Sequence, residues 1–165
     1  MFERSIKQNR PIAIFSLIIF IIILDQVTKI TAAMFLSENN FNSISIFPGF
    51  NIVFVRNTGI SFGLFSDNGV FQRWFLTVLA GTVGFILLIC SLITNNVISR
   101  FAMAFIAAGA MGNALDRAYF GGVIDFLDFF VYGFHWPAFN IADISIFIGV
   151  LFLLYDSFDI KERYL

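Results

Sequence analysis

"WFLTVLAGTVGFILLICSLITNNVIS", residues 74–99, decides what kind of protein this is. No Asp, Glu, Lys or Arg falls between Arg73 and Arg100. A helix rises about 1.5 Å per residue, so about 20 apolar residues cross roughly 30 Å of hydrocarbon. Residues 73–94 satisfy that length and read as a transmembrane helix. Three further spans follow by the same measure: about 11–33, opening with "PIAIFSLIIFIIIL" at 11–24, then about 100–118 and about 140–158.

The rest of the composition agrees. Of 165 residues, 59% are hydrophobic and 13% charged, whereas a soluble domain is about half apolar and about a quarter charged. The chain, 1–165, is therefore expected to be a single integral membrane domain. A net charge of −1 with no basic run offers nothing to nucleic acid. The one cysteine, Cys90, lies inside an apolar run, so no intrachain disulfide is possible. The one histidine, His135 in "FHWPAF", has no ligand-spaced neighbour and reads as an interfacial loop residue. Neither a metal nor a cofactor is expected.

The first span also resembles a secretory signal, with a basic start and "TAA" at 31–33. Asp25, Gln26 and Lys29 interrupt the chain between the apolar run and that site, which favours a retained helix. Arg4, Lys7, Arg10, Arg100, Lys161 and Arg163 fall on one side of the spans, and Lys29, Arg56, Arg73 and Arg117 on the other. The bias places both termini and the 95–100 turn in the cytoplasm. Segments of about 34–72 and 119–139 then face outward, with Trp74, Trp136, Tyr119 and Tyr132 as interfacial anchors.

Within the first outer segment, "NSISIFPGFNIVFVR" at 42–56 has two β-prone runs around Pro48-Gly49 and predicts a small hairpin-like sheet. A tight two-residue connection is not expected, because Pro-Gly favours a type II turn whose twist suits strands poorly. "NTGISFGLFS" at 57–66 predicts a short helix or loop in the interface.

Nearly every polar residue of the spans gathers at their outer ends, where ionisable groups are a functional signal. Asp25 and Lys29, spaced i, i+4, suggest a structural ion pair. Gly109, Asn113 and Arg117 share one helix face. Ala104, Ala108 and Gly112 form a separate small-residue stripe suited to close packing. Arg117 has two readings, a salt bridge with Asp116 or Asp25 or a fork aimed at an anionic or carbonyl-bearing substrate. Asp143 follows Asn140 as the first-turn acid of a helix that Asn140 caps. Asp125 or Asp128, in "GGVIDFLDFF" at 121–130, would be returned to the same rim. Two carboxylates close together in an apolar rim share a proton, giving an acid and a base at one pH. No serine or cysteine has a base suitably placed.

The chain closely resembles the lipoprotein signal peptidase (signal peptidase II) family, bacterial intramembrane aspartic proteases. The matching stretches are "LDQVTK" at 24–29, "RNTGISFGLF" at 56–65, "GAMGNALDRAYFGGVIDFLDF" at 109–129 and "FNIADISI" at 139–146. The resemblance implies an all-α membrane fold of four transmembrane helices with an extracytoplasmic β-cradle and a short interfacial helix. It implies Asp125 and Asp143 as the catalytic dyad, and Asn57, Asn113, Arg117 and Asn140 as substrate-binding residues. Asp25 and Lys29 would support the site, as would Gly109, Asp116 and Asp128. The implied substrate is a prolipoprotein whose cysteine carries diacylglycerol, cleaved just before that cysteine by a monomeric enzyme in contact with membrane lipid.

Two other classes compete. A small proton-coupled transporter would also need intramembrane carboxylates, but near the midplane or on both sides. An assembly or anchoring subunit would explain the small-residue stripe and the aromatic surface, but not the polar residues gathered at one rim.

Overall fold

A computed structural model describes residues 2–39, 41–59 and 69–163. Helix α1 runs Phe2–Glu38, strands β1 and β2 Ser43–Phe47 and Phe50–Asn57, helices α2 and α3 Val70–Ile93 and Val97–Phe120. Strands β3 (Val123–Val131) and β4 (Phe134–His135) precede helix α4 (Ile141–Arg163). These four helices are long and apolar enough to cross a membrane. Helix α1 exceeds the expected 11–33 at both ends, because Glu, Lys, Gln and Arg before Pro11 and Met34, Leu36 and Glu38 after the span are all good helix formers.

Helix α3 is the least apolar span, with mean hydropathy 1.3 against 2.5 for α2, and the other helices surround it. Ala104, Ala107 and Ala108 of α3 pack against Ile14, Ile18 and Ile21 of α1. Small residues let the backbones approach, which is how helices associate where lipid removes the usual hydrophobic drive. Large apolar side chains such as Phe20, Phe71, Phe85 and Phe152 point outward instead.

At the end away from the sheet, Asn96 caps α3, its side chain accepting from the Ile98 and Ser99 amides at 2.8 and 3.2 Å. The Asn96 amide donates to both Asp156 carboxylate oxygens, and the Ser99 hydroxyl donates to the same group, so α4 is latched to the start of α3. At the other end Gly121, with φ +77°, closes α3. Arg73 donates there to the carbonyl of Arg117, which also accepts the Gly121 amide, and to that of Ala118.

The sheet is antiparallel in the order β1-β2-β3-β4. Contrary to the expectation from Pro-Gly, β1 and β2 do join through a two-residue turn, with Phe47 facing Phe50 and Gly49 at φ +95°. A register irregularity between Ser45 and Phe47 absorbs the mismatch in twist. The second outer segment is not a plain return either, since β3 lies at the centre of the sheet. A turn at Tyr132-Gly133, both with positive φ, folds it back into β4. Of the expected interfacial segment at 57–66, residues 60–66 lie outside the described residues.

Candidate active site

Strand β3 sorts the two candidate acids. Residues three apart on a strand face opposite ways, so Asp125 and Asp128 cannot serve one site. Asp128 pairs across the sheet with Asn51, which donates to it at 3.0 Å. Asp125 accepts from Asn57 Nδ2 at 3.1 Å. Asn51 and Asn57 are six apart on β2 and would share a face in a regular strand. The register shift between Ile52 and Val55 inserts one extra residue and turns Asn57 to the face of Asp125.

Helix α4 presents the other carboxylate through its cap. The Asn140 side chain accepts from the Asp143 amide at 2.9 Å, and Asp143 Oδ2 accepts from the Asn140 amide at 3.2 Å. This reciprocal box satisfies two N–H groups at the helix start and puts a carboxylate where the dipole favours charge. The free Nδ2 of Asn140 donates to Asp125 Oδ1 at 2.7 Å. One asparagine therefore touches both aspartates. Asn113 Nδ2, on α3, donates to Asp143 Oδ1 at 2.8 Å.

Behind the pair lies a buried ionic cluster. Lys29 Nζ is 2.7 Å from Asp25 Oδ2 and 2.8 Å from Asp116 Oδ2. Asp25 Oδ1 accepts from the Ala142 amide at 2.8 Å, and Asp116 Oδ2 from the Ile124 amide at 3.1 Å. Gln26 donates to Asp116 at 2.7 Å. The cluster thus ties α1 and α3 to the residues immediately before both Asp125 and Asp143. Gly109 contributes by absence, because a Cβ there would overlap the Ala142 carbonyl oxygen.

Asp125, Asp143, Asn57, Asn113 and Arg117 line one cavity of about 730 Å³, which continues along Ala80, Ala110, Ile146, Phe147 and Val150. Burial, joined by the charge of Asp143, lifts the Asp125 carboxyl to about 7, although amide donors from Asn57 and Asn140 and the Lys29 charge oppose the rise. Arg117 makes neither of the salt bridges considered from sequence. Asp116 is taken up by Lys29 and Gln26, and Arg117 donates to the carbonyls of Gly59 at 2.9 Å and Asn113 at 3.3 Å. Among the described residues, no group of three His, Cys, Asp or Glu side chains is placed to hold a metal ion.

Three participants escaped the sequence reading. His135, expected as an interfacial loop residue with no ligand-spaced neighbour, lies in β4 with Nδ1 2.9 Å from the Asp128 carboxylate. It also stacks on Phe130 with ring centroids 4.9 Å apart. Phe139 bridges to Leu127 and accepts from the Phe126 and Leu127 amides, anchoring the approach to α4 on β3. Arg73 caps α3 beside the site and sits 5.1 Å over the Trp74 ring. A basic residue at the start of the clearest span was the available signal for Arg73. None marked the other two.

The family model for signal peptidase (SPase) II matches residues 17–159. A lipoprotein signal peptidase of Alteromonas mediterranea is 44% identical over 138 residues, which is 82% of this chain and 75% of the relative. One from Cupriavidus pinatubonensis is 39% identical over 156 residues, covering 94% and 88%. A solved bacterial membrane enzyme, determined by the in meso method at 2.3 Å resolution, superposes with TM-score 0.76 at 28% identity over 92% of this chain and 90% of that one.

Proposed function

The chain belongs to the signal peptidase II family, multi-pass bacterial membrane proteases that remove signal peptides from prolipoproteins, and from that premise we propose that it is an aspartic endopeptidase. Its dyad is Asp125 and Asp143, and its substrate a diacylglyceryl-modified precursor cut just before the lipidated cysteine. The observation that carries this reading is Asn140, bonded to both of the carboxylates that line one cavity.

Asp143, at the helix start and in its ionised form, takes a proton from water, and the resulting hydroxide adds to the scissile carbonyl carbon. Asp125 gives its proton to the amide nitrogen, the C–N bond breaks, and the amine departs. The proton on Asp143 then returns to Asp125. The pair holds one proton before and after each turnover.

Arg117, Asn57 and Asn113 position the peptide. The Arg117 Nε is buried with no hydrogen-bond partner among the described residues, which leaves a donor for a substrate carbonyl. The apolar extension of the cavity takes the acyl chains. Its walls include Phe147, 63% exposed, and Val150, 40% exposed, so the chains remain continuous with the bilayer. Following the charge bias, both termini face the cytoplasm and the dyad lies at the extracytoplasmic face of the cytoplasmic membrane. The protein acts as a monomer, since one copy supplies both aspartates and all their partners described above.

Purified protein in detergent should convert a diacylglyceryl prolipoprotein to its mature size with no ion gradient and no partner. Failure where a known family member succeeds would return the outer carboxylates to the transporter reading. Asp125 must hold its proton to serve the leaving amine, so the cleavage rate should fall as pH rises through about 7. A rate that instead climbs steadily into the alkaline range would remove Asp125 as the proton donor.

A further inference from the structure

The ammonium of Lys29 has three N–H bonds, and only two of its partners are the carboxylates of Asp25 and Asp116. The third partner is Asn113 Oδ1 at 3.2 Å, a group the ion pairs do not require. We infer that Lys29 is a positioning residue for the reaction: it turns the Asn113 amide so that the NH2 group faces Asp143, which keeps Asp143 the proton acceptor of the pair. The inference rests on the dyad proposed above.

Packing cannot choose between the two faces of an asparagine amide, because exchanging its oxygen and nitrogen leaves the shape unchanged. Hydrogen bonds choose. In the observed orientation Asn113 Oδ1 meets Lys29 at 3.2 Å and Asn140 Nδ2 at 3.3 Å, and Nδ2 meets Asp143 at 2.8 Å. The flipped amide would set NH2 against an ammonium, and an oxygen against Asp143 that is tolerated only when Asp143 is protonated. Lys29, 1% exposed, therefore excludes the arrangement that would make Asp143 the acid. Asn140 Nδ2 supports the same orientation at 3.3 Å, but as a neutral donor whose shorter bond goes to Asp125 at 2.7 Å, so the charged Lys29 donor carries the larger share of the choice. The charged or titratable groups around Asp143 are Lys29 and Asp25 from α1, Asp116 and Arg117 from α3, and Asp125 from β3.

The test compares pH–rate profiles of wild type, Asp116→Asn, Lys29→Met and the double variant Lys29→Met/Asp116→Asn. The double variant leaves one buried carboxylate without its cation instead of two. Asp116→Asn retains the Lys29–Asn113 bond and should keep the acidic limb where wild type has it, whatever its rate. Lys29→Met, singly or in the double variant, should move the acidic limb up by about one pH unit and lower kcat about tenfold. A double variant that folds and keeps the wild-type limb overturns the inference. If neither Lys29 variant folds, carboxyl carbon NMR of isotopically labelled aspartate in the unaltered chain decides. Asp143 titrating below Asp125 upholds the assignment, and the reverse order refutes it. Asp143→Asn run alongside keeps the two ideas separate, because its retained activity would remove the dyad itself.

Discussion

Asp143→Asn and Asp125→Asn should each lower the rate of precursor cleavage by about 10³-fold or more, the scale of losing a positioned base or acid. Each change keeps the size of the side chain, removes the ability to exchange a proton, and turns one acceptor oxygen into an NH2 that meets a neighbouring amide donor. In Asp143→Asn the new amide still caps the helix through its carbonyl oxygen, so the start of α4 loses about 1 kcal/mol at most. In Asp125→Asn the side chain still fills the volume between Asn57 and Asn140. Asp128→Asn is the control: it lies on the other face of the sheet with Asn51 and His135, and should retain most activity. Product formation over time reads the rate, and a thermal melt in detergent shows that each variant is folded. A dead Asp128 variant beside an active Asp125 one would mean that the wrong acid has been assigned.

Gly109→Ala should be the second most damaging change, although Ala ordinarily improves a helix by about 1 kcal/mol over Gly. Its Cβ would overlap the Ala142 carbonyl oxygen and fall 2.7 Å from Ile146 Cγ1. Backbone on α4 cannot rotate aside as a side chain can, so α3 and α4 must part. Overpacking of this kind costs about 1–3 kcal/mol, which outweighs the helix gain. Ala142 adjoins Asp143, so the same displacement moves the proposed dyad. A shift of about 1 Å near a reaction costs about 100-fold in rate. Gly81→Ala serves as the comparison, because nothing lies within 4 Å of a Cβ added there. It should melt at or above the wild-type temperature and cleave normally. If Gly109→Ala behaves the same way, close approach of α3 and α4 is not what places Asp143.

The four spans were legible because hydropathy is additive along the chain and needs no knowledge of neighbours. The β1–β2 hairpin was legible from its β-branched runs. Strand β3 was not, because "VIDFLDFFV" carries an acid on each face and reads as a polar connector until the sheet supplies partners. Asn57 shows the limit more sharply. Its direction depends on one extra residue in β2, and no periodicity rule announces a bulge. The resemblance named the polar residues, yet it could not say that Asn140 reaches both acids or that Asp116 prefers Lys29 to Arg117. Those contacts join different helices and strands, and packing decides them. His135 was misread for the same reason: its partner is seven residues away across a turn that only the fold creates.

The exposed walls of the cavity carry one more consequence. Phe147 and Val150 belong at once to the cavity that holds the proposed dyad and to the protein's outer surface. A substrate that enters there arrives by sliding in a sheet of lipid, so encounters are counted per area and not per volume. What governs turnover is then the crowding of precursor among lipids, its mole fraction in the film. Adding inert lipid thins that population and slows the enzyme, even when the flask holds the same number of molecules.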